Sequence, residues 1–191
     1  MKIKMIKNNK GFTLVETMFA VMILTFTIVS MMTVVANSLF AARYARDEIT
    51  TSYLLQEVID HIRNDRDTTV FLQNTQSIDA AWSDFINKYN NCSNEETGCY
   101  FDVLNTTITP VECSSLNDCP YLYYDGNTND GAFYVSDDGI GNAGKERTNF
   151  KRKIVVTQNG DELKILVTIS WQNGSLTKTR SLSTSMMKWQ S

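Results

Sequence analysis

The sequence predicts an α+β fold: one long N-terminal helix, half membrane-spanning and half amphipathic, packed on a C-terminal antiparallel β-sheet. Three observations predict it. Between Thr17 and Ala42 lie 26 residues without a formal charge. Beyond Asn37, apolar residues recur at helical spacing among charged ones. From Phe150 onward, apolar and polar residues alternate between Asn-Gly pairs, the period-two pattern of half-buried strands.

The helix comes first along the chain. No Gly falls between Gly11 and Gly98, and no Pro precedes Pro110. Twenty-six helical residues span roughly 39 Å, more than the ~30 Å hydrocarbon core of a bilayer. Lys2, Lys4, Lys7 and Lys10 precede the apolar run, and no acid occurs before Glu16. The positive-inside bias then keeps this stub in the cytoplasm and sends everything after Asn37 across the membrane. In the second half, Ile49, Leu55, Val58, Ile59 and Ile62 form the expected buried stripe, interspersed with Arg46, Asp47, Glu48, Glu57 and Asp60. "RNDRDTT", residues 63–69, has no apolar residue and is the expected end. A helix from Phe12 to about Asn64 would be ~80 Å long. Two helices broken near residues 41–46 are the alternative.

"SIDAAWSDFINKYN", residues 77–90, predicts a shorter amphipathic helix. Ser77 is its N-cap, and Ile78, Ala81, Trp82, Phe85, Ile86 and Tyr89 lie on one stripe. Short strands follow at "CYFDVLN", "YLYYD" and "AFYVS", separated by turn-forming residues. At the C-terminus, Leu163, Ile165, Val167, Ile169 and Trp171 form one apolar face. Asn159-Gly160 and Asn173-Gly174 read as type I′ turns joining three strands into a meander. The second half of the long helix is the expected cover for its apolar face.

A length of 191 residues fits one domain, or one domain plus an anchor. With the four lysines of residues 1–11 set aside, 14 basic residues face 21 acidic ones, a balance of −7. That balance speaks against a nucleic-acid partner, although Lys151, Arg152 and Lys153 form a local basic run. Cys92, Cys99, Cys113 and Cys119 allow three pairings. The local bridges Cys92–Cys99 and Cys113–Cys119 are expected, because short loops close most readily. A zinc site is disfavoured, since neither spacing is C-x-x-C and the single His, His61, lies far upstream. Disulfides place the body in an oxidising compartment.

"KGFTLVETMFAVMIL", residues 10–24, resembles the class III leader of type IV prepilins and pseudopilins: a basic stub, Gly, Phe-Thr-Leu-x-Glu, then an apolar run. The resemblance implies a pilin fold, and cleavage between Gly11 and Phe12 by a membrane-bound prepilin peptidase that also methylates the new N-terminus. It further implies an inner-membrane assembly platform, the lipid bilayer and other pilin or pseudopilin subunits as partners. Glu16 becomes the fifth residue of the mature chain, and in the family this acid faces the N-terminal amine of a neighbouring subunit. An unpaired carboxylate in lipid costs ~2.5–3.5 kcal/mol or more, and pairing offsets that cost. Two other readings of the segment are a secretory signal cut after Val34-Val35-Ala36 and a plain signal anchor. The length of the apolar run and the position of Glu16 speak against both.

The division expected from this resemblance is a leader (1–11), a transmembrane and assembly half-helix (12–40), and an extracytoplasmic globular domain (41–191) with a cysteine-containing variable loop at 91–140. "VTISWQNG…RSLSTSM" further resembles the PilV and minor-pseudopilin group. The expected function is that of a minor structural subunit of a type IV pilus-like filament or a type II secretion pseudopilus. The alternatives are a filament-tip adhesin or DNA-uptake module and, less favoured, a membrane-anchored or Sec-secreted β-rich protein.

Asp125, Asn127, Asn129 and Asp137 are the candidate calcium ligands, in a near match to D-x-N-x-N. Asp130 stands where that loop needs Gly, and no Glu closes it, so a polar turn between two strands is the competing reading. No other cofactor is expected. Enzymatic chemistry has little support: His61 sits in the long helix, and there is no P-loop, G-x-G-x-x-G or metalloprotease helix. "GIGNAG", residues 139–144, lies in the wrong context for phosphate. Tyr121, Tyr123, Tyr124 and Tyr134 are expected to pack beneath the cysteine loops.

Overall fold

The computed structural model describes residues 11–72, 77–103, 108–114, 119–128, 131–136 and 145–188. The chain divides into two compact units, Met1–Asp47 and Glu48–Ser191. The first α-helix, α1, runs Leu14–Leu72 and contributes to both. In the second unit follow α2 (Ile78–Lys88) and seven strands: β1 (Cys99–Tyr100), β2 (Val111–Glu112), β3 (Tyr121–Thr128), β4 (Gly131–Ser136), β5 (Glu146–Asn159), β6 (Glu162–Asn173) and β7 (Leu176–Met187). A long N-terminal helix followed by a C-terminal antiparallel sheet is the α+β arrangement of a pilin fold.

The end of α1 differs from its expected place. "RNDRDTT" is helical throughout. Asp65 accepts hydrogen bonds from Lys88 Nζ (2.6 Å) and Tyr89 Oη (2.9 Å) at the end of α2. The Thr69 hydroxyl donates back to the Asp65 carbonyl (2.8 Å). A polar run with no buried face is thus held helical by charge-assisted contacts from a second helix. α2 itself begins where its sequence places it: Ser77 caps it through Ala80 N–H (3.3 Å), and Ala81, Trp82, Phe85 and Tyr89 are buried.

The meander β5–β6–β7 pairs in continuous register, from Phe150↔Trp171 to Asn159↔Glu162 and from Asn173↔Leu176 to Glu162↔Met187. The other edge of β5 is shared by β1, at Cys99↔Ile154, and β3, at Tyr121↔Lys151. The tight turns are not type I′. Gly160 (φ 62°) and Gly174 (φ 64°) have positive φ, and among the described residues no non-Gly residue does. Each Gly therefore takes the first central position of a type II′ turn, and each Asn ends its strand.

The apolar face of β6 is buried in full, with Leu163, Ile165, Val167, Ile169 and Trp171 at 1% exposure or less. In the second unit, α1 contributes Leu54, Leu55, Val58, Ile59 and Ile62 to the core, with Thr51 as a buried polar neighbour. Ile49, expected in this stripe, is 58% exposed. The buried stripe instead runs through Thr51 and Leu54, the positions helical spacing puts one turn below Leu55 and Val58.

Among the described residues, one charged side chain is buried. Arg152 is 1% exposed; its Nη1 donates to Glu57 Oε2 (3.2 Å) and its Nη2 to the Phe101 carbonyl (3.2 Å). His61 Nε2 donates to the Val103 carbonyl, which ties α1 to the segment after β1. Burial raises the Glu57 carboxyl above its ordinary value of 4.5, opposed by Arg152. The folded chain therefore holds this proton more tightly than the unfolded chain. Glu57's share of stability is full below about pH 4.5 and is lost as pH rises through the folded value. Urea midpoints across that window should fall less steeply in Glu57→Gln than in the native chain.

The structure joins Cys92 to Cys99 and Cys113 to Cys119, with Cα separations of 4.7 and 4.9 Å. The first bridge ties a 3₁₀ turn, Asn90–Cys92, to β1, and all four cysteines are buried. Chain-entropy reasoning gives a loop this short ~2.5 kcal/mol of stabilisation. Urea denaturation of the Cys92→Ser/Cys99→Ser double variant should show a loss of about that size.

Candidate functional site: the N-terminal assembly segment

The N-terminal segment is built by a local cap. Thr13 precedes α1; its carbonyl accepts from Thr17 N–H (3.2 Å) and its hydroxyl from Glu16 N–H (3.3 Å). Thr13-Leu14-Val15-Glu16 has the S/T-x-x-E pattern of a capping box, with the threonine half formed. The helix starts at Leu14, not at the expected Phe12, and Thr13-x-x-Glu16 is the sequence signal that marks this start. Glu16 is thereby fixed in the first turn, where the positive end of the helix dipole favours a carboxylate.

Both cap bonds lie within residues 13–17. Gly11 has no positive φ, and a Cβ built on it would meet nothing within 4 Å. The fold therefore sets no requirement for glycine at this position. Phe12 is 75% exposed, its ring unburied. Removal of residues 1–11 would leave the cap, the first turn and Glu16 in place.

Beyond Glu16 the helix surface is apolar on all sides. An 18-residue window reaches a mean hydropathy of 2.3 with none of it buried, long and apolar enough to cross a membrane. Its hydroxyls are turned inward on the backbone: Thr17, Thr25, Thr27, Ser30, Thr33 and Ser38 each donate to a carbonyl three or four residues back, at 2.7–2.9 Å. Such bonds satisfy polar groups that lipid leaves without partners. Glu16 is the one acid on this stretch before Asp47.

The other sequence candidates fall elsewhere. Asp125 and Asn127 lie on β3, in a hairpin with β4 that closes at Thr128↔Gly131. Asn129 and Asp137 lie outside the described residues, as does "GIGNAG". Among the described residues, no three His, Cys, Asp or Glu side chains are grouped to hold a metal ion. His61 serves as a hydrogen-bonding tie between α1 and the Val103 carbonyl.

Tyr121, Tyr123 and Tyr124 lie on β3 and Tyr134 on β4. Tyr124 and Tyr134 stack edge to face (5.5 Å) across β3 and β4, and Tyr134 meets Phe150. The ring of Tyr121 is faced by Arg147 (4.0 Å) and Lys151 (4.6 Å). The basic run 151–153 is split by the strand pleat, which turns Arg152 into the core between two outward lysines.

No curated protein and no solved structure gives a significant match to the chain. Residues 6–36 match the prokaryotic N-terminal methylation motif, with Gly11, Phe12 and Glu16 at the head of an apolar helix, and this stretch is similar to the class III leader of type IV pilin-like proteins.

Proposed function

We propose that the chain is a minor structural subunit of a type IV pilus-like filament or secretion pseudopilus. In this reading a prepilin peptidase cuts between Gly11 and Phe12 and methylates Phe12. The helix from Thr13 onward stays in the inner membrane until an assembly platform draws it into the filament, and the body from residue 41 lies outside the cytoplasm. Glu16 then meets the Phe12 amine of an adjacent subunit. The observation that carries the reading is the methylation motif placed on a helix start whose cap bonds lie within residues 13–17. Its matching residues are specific in order: lysines, Gly, Phe, an acid four residues on, then an unbroken apolar run. The motif points to assembly rather than catalysis.

Intact mass and N-terminal sequencing of the chain from its native membrane test this. A start at Phe12 carrying one added methyl is expected. A start at Met1, or near Asn37, would overturn it.

A further inference from the structure

Along one side of α1, apolar side chains give way to cations. At about 100° per residue, Met32, Val35, Leu39, Arg43 and Arg46 fall within about 80° of one another around the helix. The first three are 71%, 58% and 58% exposed, on the stretch that is long and apolar enough to cross a membrane. Arg43 is the first formally charged residue after Glu16, and Arg46 follows less than one turn later. Both are exposed. The neighbouring acids do not claim them. Among the described residues neither arginine has an ion pair, nor has Asp47, and Glu48 is held by Arg180 at 3.0 Å.

Their place along the helix sets their depth. The uncharged run from Thr17 to Ala42 is ~39 Å long against a ~30 Å hydrocarbon core, and a helix longer than the core fits by tilting. Its outer end then lies at the hydrocarbon boundary. Arg43 follows directly, in the headgroup layer, which adds roughly 5–7 Å on each side of the core. Arg46 stands about 4.5 Å further along the axis. In a helix every Cα–Cβ bond tilts toward the N-terminus, which here is back toward the membrane. A long arginine stem can follow the apolar surface while its guanidinium stays in the polar layer.

We propose that Arg43 and Arg46 form a binding site for anionic phospholipid headgroups, in the leaflet opposite the lysine stub. A guanidinium matches phosphate with two parallel N–H bonds, and cations beside an anionic leaflet gain from its surface potential. A carboxylate on another subunit would have to be carried to this depth by assembly, whereas lipid phosphate lines the layer wherever the helix stands. Four lysines on one side and two arginines on the other then bracket the apolar run, so that the subunit is held at a fixed depth until it is drawn out. The inference rests on the membrane anchoring in the reading above and not on leader cleavage.

The test is electron spin resonance of the full chain in phosphatidylcholine vesicles containing a trace of spin-labelled phosphatidylglycerol, with spin-labelled phosphatidylcholine as comparator. Because the stub also attracts anionic lipid, Lys2, Lys4, Lys7 and Lys10 are replaced by Gln in every sample. Expected is a larger motionally restricted fraction for phosphatidylglycerol than for phosphatidylcholine, the difference shrinking with salt. Arg43→Gln/Arg46→Gln should abolish the preference, and Arg43→Lys/Arg46→Lys should keep part of it. Retention of each variant through an alkaline wash shows the helix inserted. Equal restriction of the two lipids by the chain with both arginines, or an unchanged preference in Arg43→Gln/Arg46→Gln, would overturn the proposal and leave the membrane reading standing. Release of the chain with both arginines by the wash would overturn both.

Discussion

Glu16→Ala should leave the leader cleaved and the chain in the membrane, yet lower its incorporation into filaments by about tenfold or more. The bond that Glu16 gives the helix start comes from its backbone N–H to Thr13, so the substitution keeps the cap. What it removes is the carboxylate, in a helix whose surroundings are otherwise apolar on all sides. A charge left alone in lipid costs ~2.5–3.5 kcal/mol or more. Pairing with a neighbour's amine would relieve that cost for both groups, so loss of the acid weakens docking while sparing anchoring. Separating membrane from sheared-filament fractions, with mass spectrometry of the N-terminus, measures both halves. Normal incorporation of a cleaved Glu16→Ala chain would refute the role. Glu16→Gln should behave like Ala, since size is kept and charge is lost.

Arg152→Ala should cost ~3–5 kcal/mol of stability, the effect of breaking a buried ion pair from one side. The guanidinium is fully buried and holds both Glu57 and the Phe101 carbonyl. Truncation leaves a cavity, an orphaned carbonyl and a part-buried carboxylate. Arg152→Met should lose less, because its side chain refills the space. The double variant Arg152→Met/Glu57→Gln should recover part of that loss, since no carboxylate is then stranded. Urea denaturation of the full chain in detergent, followed by tryptophan fluorescence, reads this order. Equal losses in Ala and Met would mean that the pair, rather than packing, dominates.

The parts legible from the sequence were those governed by local rules. Four lysines, Gly11, Phe12 and Glu16 mark the leader within one short stretch. Alternation at Leu163, Ile165, Val167, Ile169 and Trp171 fixes which face of β6 turns inward, because a strand has period two whatever covers it. Ser77 announces the start of α2 for the same reason, since its cap bonds reach only to Ala80 and Ala81. Thr13 was equally legible, through Thr13-x-x-Glu16.

What escaped depends on partners far along the chain. Helix α1 continues through "RNDRDTT" because Lys88 and Tyr89, more than twenty residues later, bind Asp65. Arg152 belongs to the core and not to a basic run because Glu57, 95 residues earlier, meets it there. Ile49 is exposed while Leu54 is buried, since the sheet decides which part of an amphipathic face it covers. The Asn-Gly pairs announced turns, but strand register placed each glycine first among the central residues. By itself, then, the sequence determined the leader-like stretch, the membrane-length helix and the inward face of β6, each set by charge, apolar length or periodicity within one element. The tertiary structure alone decided where the long helix ends, which charge is buried, and where each glycine falls in its turn, because each depends on a side chain or strand brought near only by folding.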